Sequence, residues 1–163
     1  MSVLNIDTRR ILIKHPLGWI ATGFCSGFSP KAPGTVGSVV ALLPWYFLMR
    51  GLSIEMYIGV LLVGFLIGVW ASKWVIEKTN IQDPGFVVWD EFIGLWIGLF
   101  LAPAGWLWML AGFVLFRFFD IAKPWPVSWA DQKLHGGFGV MLDDVLAGIY
   151  AFLCLQLAAH FLS

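Results

Sequence analysis

Five apolar segments constrain the fold of this chain more than any other feature. They cover residues 39–49, 56–75, 86–102, 106–119 and 140–162. A helix needs about 20 apolar residues to cross the hydrocarbon core of a bilayer, so the second and last segments are long enough and the first and fourth are short. With 60% hydrophobic residues and a mean hydropathy of +0.84, the composition exceeds the usual globular range. The chain is therefore predicted to be an all-α polytopic membrane bundle of about five apolar helices.

The N-terminal segment is basic rather than apolar. Arg9, Arg10 and Lys14 belong to a short amphipathic helix that is predicted to lie on the membrane surface among anionic headgroups. Residues 1–16 are therefore interpreted as an interfacial segment within a single integral-membrane domain that covers residues 1–163. The net charge of zero gives no indication of a nucleic-acid partner, and no obligate protein partner is predicted.

The ten Lys and Arg residues are distributed unevenly between the two ends of the predicted spans. When the spans are threaded alternately through a bilayer, Arg50 falls on one side and the other basic residues fall on the opposite side. The positive-inside rule makes the basic side cytoplasmic. The same threading brings three polar elements to that side, namely the Gly-rich and Ser-rich loop 23–38, the start of the third segment at Asp90, and the charged stretch 117–144. A functional site facing the cytoplasm is predicted there.

Five carboxylates lie in these converging elements: Asp90, Glu91, Asp120, Asp143 and Asp144. Carboxylates crowded into a low-dielectric site repel one another, and a divalent cation relieves this repulsion. A site made only of oxygen ligands favours Mg²⁺ or Mn²⁺ over zinc. The alternative is that individual acids cap helices or pair with bases. That alternative stays open for Glu91 and for one member of the Asp143 and Asp144 pair, because adjacent helical positions point about 100° apart.

Basic residues near the end of the fourth segment are candidates for phosphate binding. Arg117, Asp120 and Lys123 follow one another at three-residue steps, so Asp120 is expected to contact both bases before Pro124 ends the helix. An Arg fork together with a Lys charge suits a phosphate group. A purely structural ion cluster is the alternative interpretation.

Glycines and hydroxyl groups supply further candidates. His135 precedes Gly136 and Gly137 at the entrance to the last segment, where glycine lets backbone amides approach an anion and His135 can protonate a leaving alkoxide. The loop 23–38 lacks the phosphate-binding signature of nucleotide hydrolases. It still offers groups for a phosphate or a lipid headgroup: Ser29, Lys31, Thr35 and Ser38.

Four blocks in order along the chain resemble the phosphatidylglycerophosphatase A family. They are GFCSGFSPKAPGTVGS at 23–38, VWDEFIGLWI at 88–97, FRFFDIAKPWP at 116–126 and DQKLHGGFGVMLDDVLAG at 131–148. The resemblance implies hydrolysis of phosphatidylglycerol phosphate to phosphatidylglycerol and phosphate, with Mg²⁺ as cofactor, as the last step of phosphatidylglycerol synthesis. It also implies a membrane phospholipid as substrate, a location in the bacterial cytoplasmic (inner) membrane, and a compact bundle with one central helix surrounded by the others.

The leading hypothesis is thus a lipid phosphate monoesterase in which Asp90, Asp120, His135 and Asp144 are catalytic. Direct attack by water is preferred, because no Ser or Cys is set against an evident general base. A phosphotransferase using CDP-linked alcohols is one alternative, but the DG…AR…G…D…D signature associated with that activity is absent. A small transporter or proton relay is another. It would place charges at mid-bilayer on several helices, whereas here they gather at one face.

Overall fold

The computed structural model describes residues 6–162, and over that range the chain is helical without strands. The eight helices are α1 (Ile6–Ile13), α2 (Pro16–Ala21), α3 (Pro33–Phe47), α4 (Ile54–Thr79), α5 (Trp89–Gly98), α6 (Trp106–Ala122), α7 (Val127–Lys133) and α8 (Gly136–Leu162). Short 3₁₀ turns occupy Ser26–Phe28 and Met49–Gly51. The all-α prediction is confirmed. The first five residues of the predicted interfacial segment lie outside the described range.

Helix boundaries follow local backbone chemistry. The amide of Met56 donates a hydrogen bond of 3.4 Å to the hydroxyl of Ser53, which caps the start of α4. The same helix ends at Thr79, and the next residue, Asn80, takes the left-handed conformation with φ of +55°. At the start of α8, Gly136 has φ of +74°, a value that a side chain would disfavour. The chain can therefore turn sharply into α8 at the point where the charged stretch meets the last apolar segment.

Two apolar segments differ from their predicted extents. Helix α3 begins at Pro33, within the loop 23–38, because proline at the first helical position needs no amide partner. Helix α5 ends at Gly98, and Leu101 and Gly105 then adopt positive φ in the turn to α6. The third apolar segment therefore includes only a ten-residue helix.

The N-terminal region also contains one helix more than predicted. Helix α1 ends at Ile13, and α2 starts after His15, whose ring Nδ1 accepts a hydrogen bond of 3.2 Å from the amide of Leu17. The proline that follows His15 fits the first position of α2. Helix α1 contacts α2, and α2 packs against α4.

Helix α8 contacts α4, α5, α6 and α7. Its crossing with α5 is close because both helices carry glycine there. A Cβ at Gly148 would lie 2.3 Å from the carbonyl oxygen of Gly94, and a Cβ at Gly94 would lie 2.6 Å from the carbonyl oxygen of Asp144. Small residues let helices approach until their backbones touch. This crossing places the first turn of α5 beside Asp144.

Helices α4 and α8 are the two in the described part of the chain that are long and apolar enough to cross a membrane. Much of the surface of α4 is apolar and exposed; Leu62, Leu66 and Trp70 are 62%, 67% and 63% exposed. Exposed apolar surface of this extent is unusual for a protein surrounded by water. These helices indicate a membrane-associated protein.

The two ends of the bundle differ in character. At one end, the turn after α3 and the turn between α5 and α6 approach each other, since Arg50 and Pro103 line one cavity of about 200 Å³. At the other end, the starts of α5 and α8 meet the end of α6 and helix α7. The second end holds the acidic residues of the chain that the sequence singled out.

Candidate functional site

A polar cavity of about 210 Å³ opens where α5 and α8 begin. Its walls come from both of these helices, the end of α6, helix α7, and the loop between α4 and α5. The polar and charged side chains that line it are Gln82, Asp83, Asp90, Glu91, Asp120, Lys123, Asp131, His135, Asp143 and Asp144. Two of the three elements predicted to converge therefore form this cavity, whereas the loop 23–38 contributes no lining residue.

Asp90, Glu91 and Asp144 form the tightest acidic group in the cavity, and they are called the acidic triad below. One carboxylate oxygen from each lies within 4.8 Å of the others. Asp144 is only 4% exposed. Its Oδ2 and the Oε2 of Glu91 are buried and have no hydrogen-bond partner among residues 6–162. Buried anionic oxygens need a positive partner, and an all-carboxylate set fits a hard divalent cation of the Mg²⁺ or Mn²⁺ kind.

The triad consists of two neighbouring residues of α5, Asp90 and Glu91, and one residue of α8, Asp144. Asp90 and Glu91 are both in the first turn of α5, and the Glu91 amide donates a hydrogen bond of 3.1 Å to Asp90 Oδ1. Asp144 and Asp143 both line the cavity. Asp144 belongs to the triad, whereas Asp143 pairs with Lys123, with 3.1 Å between Oδ2 and Nζ. The sequence left open that either Asp143 or Asp144 pairs with a basic residue. This pairing is found for Asp143.

The predicted contact between Asp120 and Lys123 is wrong. Helix α6 ends at Ala122, and Lys123 takes a left-handed backbone conformation with φ of +44°, so its side chain leaves the helical face that carries Asp120. Lys123 Nζ instead donates hydrogen bonds to Asp131 and Asp143. Burial acts to lower the pKa of Lys123, but its hydrogen bonds and the negative charges of the two aspartates outweigh this and raise the pKa above its usual value. Lys123 therefore carries a positive charge in the cavity wall at neutral pH.

Arg117 lies behind the acidic residues rather than in the cavity wall. Its Nη1 is 2.6 Å from Asp120 Oδ2 and 3.8 Å from Glu91 Oε1. The same nitrogen donates a hydrogen bond of 3.4 Å to the hydroxyl of Ser38. Arg117 thus takes part in an ion cluster, and its predicted contact with phosphate stays a prediction.

The remaining predicted residues divide into two groups. His135 and Gly136 line the cavity. Gly137 faces α4, where a Cβ would lie 2.1 Å from the carbonyl oxygen of Val69. The residues of the loop 23–38 that were predicted to bind phosphate lie away from the cavity lining: Ser29, Lys31, Thr35 and Ser38. Their role in phosphate binding stays a prediction.

Two lining acids were missed in the sequence. Asp131 lies on α7 in the same charged stretch as His135, so its position was a usable signal. Asp83 belongs to an Asp-Pro-Gly sequence that indicates a turn. The turn signal does not predict that this loop lies beside the start of α8, where it lines the cavity.

The fold and the cavity define a class, that of helical membrane-associated proteins with a buried acidic centre that could hold a metal ion. The sequence profile described as phosphatidylglycerophosphatase A matches residues 19–159. The chain belongs to this family.

Individual relatives agree with that assignment. Phosphatidylglycerophosphatase A of Escherichia coli (strain K12) is 42% identical over 157 residues, which are 96% of this chain and 91% of the relative. Phosphatidylglycerophosphatase A of Haemophilus influenzae is 40% identical over 148 residues, covering 90% and 91% of the two chains. A relative from Bacteroides thetaiotaomicron, 44% identical over 146 residues and covering 85% and 91%, carries a provisional name as a phosphatidylinositol-3-phosphatase. No solved structure matches the chain.

Proposed function

We propose that this chain hydrolyses phosphatidylglycerol phosphate to phosphatidylglycerol and inorganic phosphate. The observation that carries the proposal is the acidic triad, set beside the protonated Lys123 in one cavity at the end of an apolar bundle. Phosphate ester hydrolysis depends on stabilising the charge of the phosphoryl oxygens, and a cation with a fixed Lys can do this. The choice of lipid follows the names of the two phosphatidylglycerophosphatase A relatives.

Asp90, Glu91 and Asp144 would hold the cation, with Asp120 and Asp143 as further ligands in the same cavity. We assign it as Mg²⁺, the hard divalent cation that commonly accompanies phosphate groups. When bound, it supplies Lewis-acid polarisation and positive charge for the phosphoryl group. The two buried carboxylate oxygens without hydrogen-bond partners support this assignment.

The side chains of the cavity divide the remaining work. Lys123 binds the phosphoryl oxygens, and the amide of Gly136 at the start of α8 offers a further donor. A carboxylate of Asp90, Asp120 or Asp144 orients the attacking water and accepts its proton, while His135 gives a proton to the departing alkoxide of the glycerol headgroup. None of the cavity-lining residues within 6–162 is Ser, Thr or Cys, and the carboxylates and His135 are assigned other roles here, so water is taken as the nucleophile.

The chain would cross the cytoplasmic membrane several times, with α8 as the central helix and the cavity facing the cytoplasm. Besides α4 and α8, helix α6 supports this arrangement, because Leu110, Val114 and Phe118 are 47%, 54% and 60% exposed along it. Arg50 lies at the end opposite the cavity, as expected for the side with few basic residues. Substrate would reach the cavity from the cytoplasmic leaflet.

Phosphate release from defined lipids in mixed micelles tests the proposed activity. The wild type is expected to release phosphate from phosphatidylglycerol phosphate faster than from phosphatidic acid or phosphatidylinositol 3-phosphate. Asp144→Asn should lower kcat by on the order of 100-fold or more, since it removes a charge from the triad. Glu55→Gln is the control, because Glu55 is exposed at the start of α4, outside the cavity lining. Release from none of these lipids by the folded wild type would overturn the proposal, and preferred release from phosphatidylinositol 3-phosphate would overturn the choice of lipid.

A further inference from the structure

The first turn of α3 presses against one acid of the triad. A Cβ at Gly34 would lie 2.1 Å from Glu91 Oε1, a distance that no real Cβ can hold. Glycine at position 34 therefore lets the Glu91 carboxylate approach the α3 backbone. A few residues later, a Cβ at Gly37 would lie 2.7 Å from the Cβ of Val88, which immediately precedes α5. The turn and the start of α5 are thus held in contact at two successive points.

Arg117 reaches the same place from α6. Its Nη1 donates to Ser38, and the Ser38 hydroxyl donates in turn to the carbonyl oxygen of Gly34 at 2.8 Å. Ser38 is fully buried, so its hydroxyl has a fixed environment. Because its single proton is used on Gly34, the hydroxyl meets Arg117 as an acceptor. Arg117 is therefore held at both sides, by Ser38 and by the carboxylate of Asp120 2.6 Å away.

This arrangement gives the two oxygens of Glu91 different surroundings. Oε1 faces Arg117 at 3.8 Å and the backbone at Gly34. Oε2 is buried and has no hydrogen-bond partner in the described part of the chain. Groups that hold one side of a ligating carboxylate set the orientation of the other side and tune its affinity for a metal.

We propose that Gly34, Ser38 and Arg117 are positioning residues that orient Glu91 toward the cation site of the acidic triad. None of the three lines the cavity, so they act through Glu91 rather than on the phosphate. The inference rests on the proposed cation-dependent function and adds a role for the part of the loop 23–38 that becomes the start of α3.

Direct Mn²⁺ binding tests the inference without relying on turnover. Mn²⁺ is used as the probe because the loss of its free electron paramagnetic resonance signal reports binding to purified protein. Ser38→Ala and Arg117→Lys should each weaken Mn²⁺ binding by on the order of 10 to 100-fold, as expected for changes behind a metal ligand. Gly34→Ala should weaken it at least as much, because the new methyl group displaces the Glu91 carboxylate.

Kinetics provide a second readout. In the same variants, the Mg²⁺ concentration for half-maximal phosphate release should rise by a similar factor. Saturating Mg²⁺ should restore most of kcat. The KM for the lipid should stay near the wild-type value. Val39→Ala is a matched control, because Val39 follows Ser38 on α3, is 50% exposed and carries no polar group that could reach Arg117 or Glu91.

The outcomes separate this inference from the proposed function. If the wild type binds Mn²⁺ but releases no lipid phosphate, the proposed function fails and the binding comparison still decides the inference. Unchanged Mn²⁺ binding in folded Ser38→Ala and Arg117→Lys, with a raised lipid KM, would overturn it and assign these residues to the phosphate. If Gly34→Ala does not fold, the two other variants give the answer.

Discussion

At the scale of single residues, the most informative feature is a pair of buried carboxylate oxygens in the acidic triad. Glu91 Oε2 and Asp144 Oδ2 are buried without hydrogen-bond donors among residues 6–162, and they belong to the same triad. A buried carboxylate is costly unless something positive or a hydrogen bond compensates it. Of the nearby bases, Lys123 pairs with Asp131 and Asp143, and Arg117 is 2.6 Å from Asp120 and 3.8 Å from the other oxygen of Glu91. The triad could therefore hold a metal ion that compensates these oxygens.

Replacement of Lys123 is expected to have the clearest effect on phosphate binding. Lys123→Gln is expected to lower kcat/KM by about 10 to 100-fold, the equivalent of one hydrogen bond between charged groups. A raised pKa means that the positive charge is present at low and neutral pH and is lost only as pH rises through the raised value. The ratio of wild-type to variant activity should therefore stay constant between about pH 6 and pH 9.

Steady-state phosphate release at several pH values measures this ratio. Lys133→Gln is the matched control, since Lys133 ends α7 and lies outside the cavity lining. Equal loss in both variants would show that net charge, rather than the position of Lys123, matters.

The sequence was sufficient to predict the location of single residues where that location depends only on how the apolar helices are threaded through the bilayer. Asp90 and Asp144 could be placed together because both begin apolar segments at the same end of the bundle. The partners of Lys123 could not, because they depend on one residue leaving the helical conformation just before Pro124. The spacing rule for helices correctly predicted the contact between Arg117 and Asp120. It does not apply beyond Ala122, and the predicted contact between Asp120 and Lys123 failed for that reason.

At the scale of elements, the crossing of α5 and α8 positions the triad. Gly94 and Gly148 bring the two backbones into contact one turn away from Asp144. A backbone oxygen cannot move aside as a flexible side chain can. The geometry of the acidic centre is therefore coupled directly to the packing of the bundle.

Gly148→Ala tests this coupling. The added methyl group would lie 2.3 Å from the carbonyl oxygen of Gly94, so the variant should lose about 1–3 kcal/mol of stability through overpacking. Gly59→Ala is the control, because nothing lies within 4 Å of a Cβ at that position on α4. Alanine should stabilise that helix by about 0.5–1 kcal/mol.

Thermal unfolding in detergent measures both variants. A Gly148→Ala protein as stable as the wild type would mean that the helices do not cross as described.

Element boundaries were only partly predictable. Gly94 and Gly98 are four residues apart, a spacing of small residues that favours close helix packing, and both face α8. The shortness of α5 was not evident, because the apolar composition continues past Gly98 into a turn with left-handed residues. Hydropathy does not register that change of backbone conformation.

At the scale of the whole molecule, the proposed orientation separates two ends with different roles. The cavity end is expected in the cytoplasm, and the end with Arg50 is expected outside. Single cysteines test this, introduced into a chain in which Cys25 and Cys154 are replaced by serine. Arg50→Cys should react with a membrane-impermeant maleimide in intact spheroplasts, whereas Lys133→Cys should react only after permeabilisation. The reverse labelling pattern would invert the topology.

Dependence of phosphate release on a divalent cation is the most direct test of the proposed function and of the cation site. Phosphate release from phosphatidylglycerol phosphate is measured with wild-type protein in EDTA and again after excess Mg²⁺ is added, with Asp144→Asn in parallel. EDTA should abolish release by the wild type, Mg²⁺ should restore it, and Asp144→Asn should stay on the order of 100-fold or more below the restored wild type in both conditions. Full wild-type activity in the chelator would contradict the assignment of Asp90, Glu91 and Asp144 to a cation.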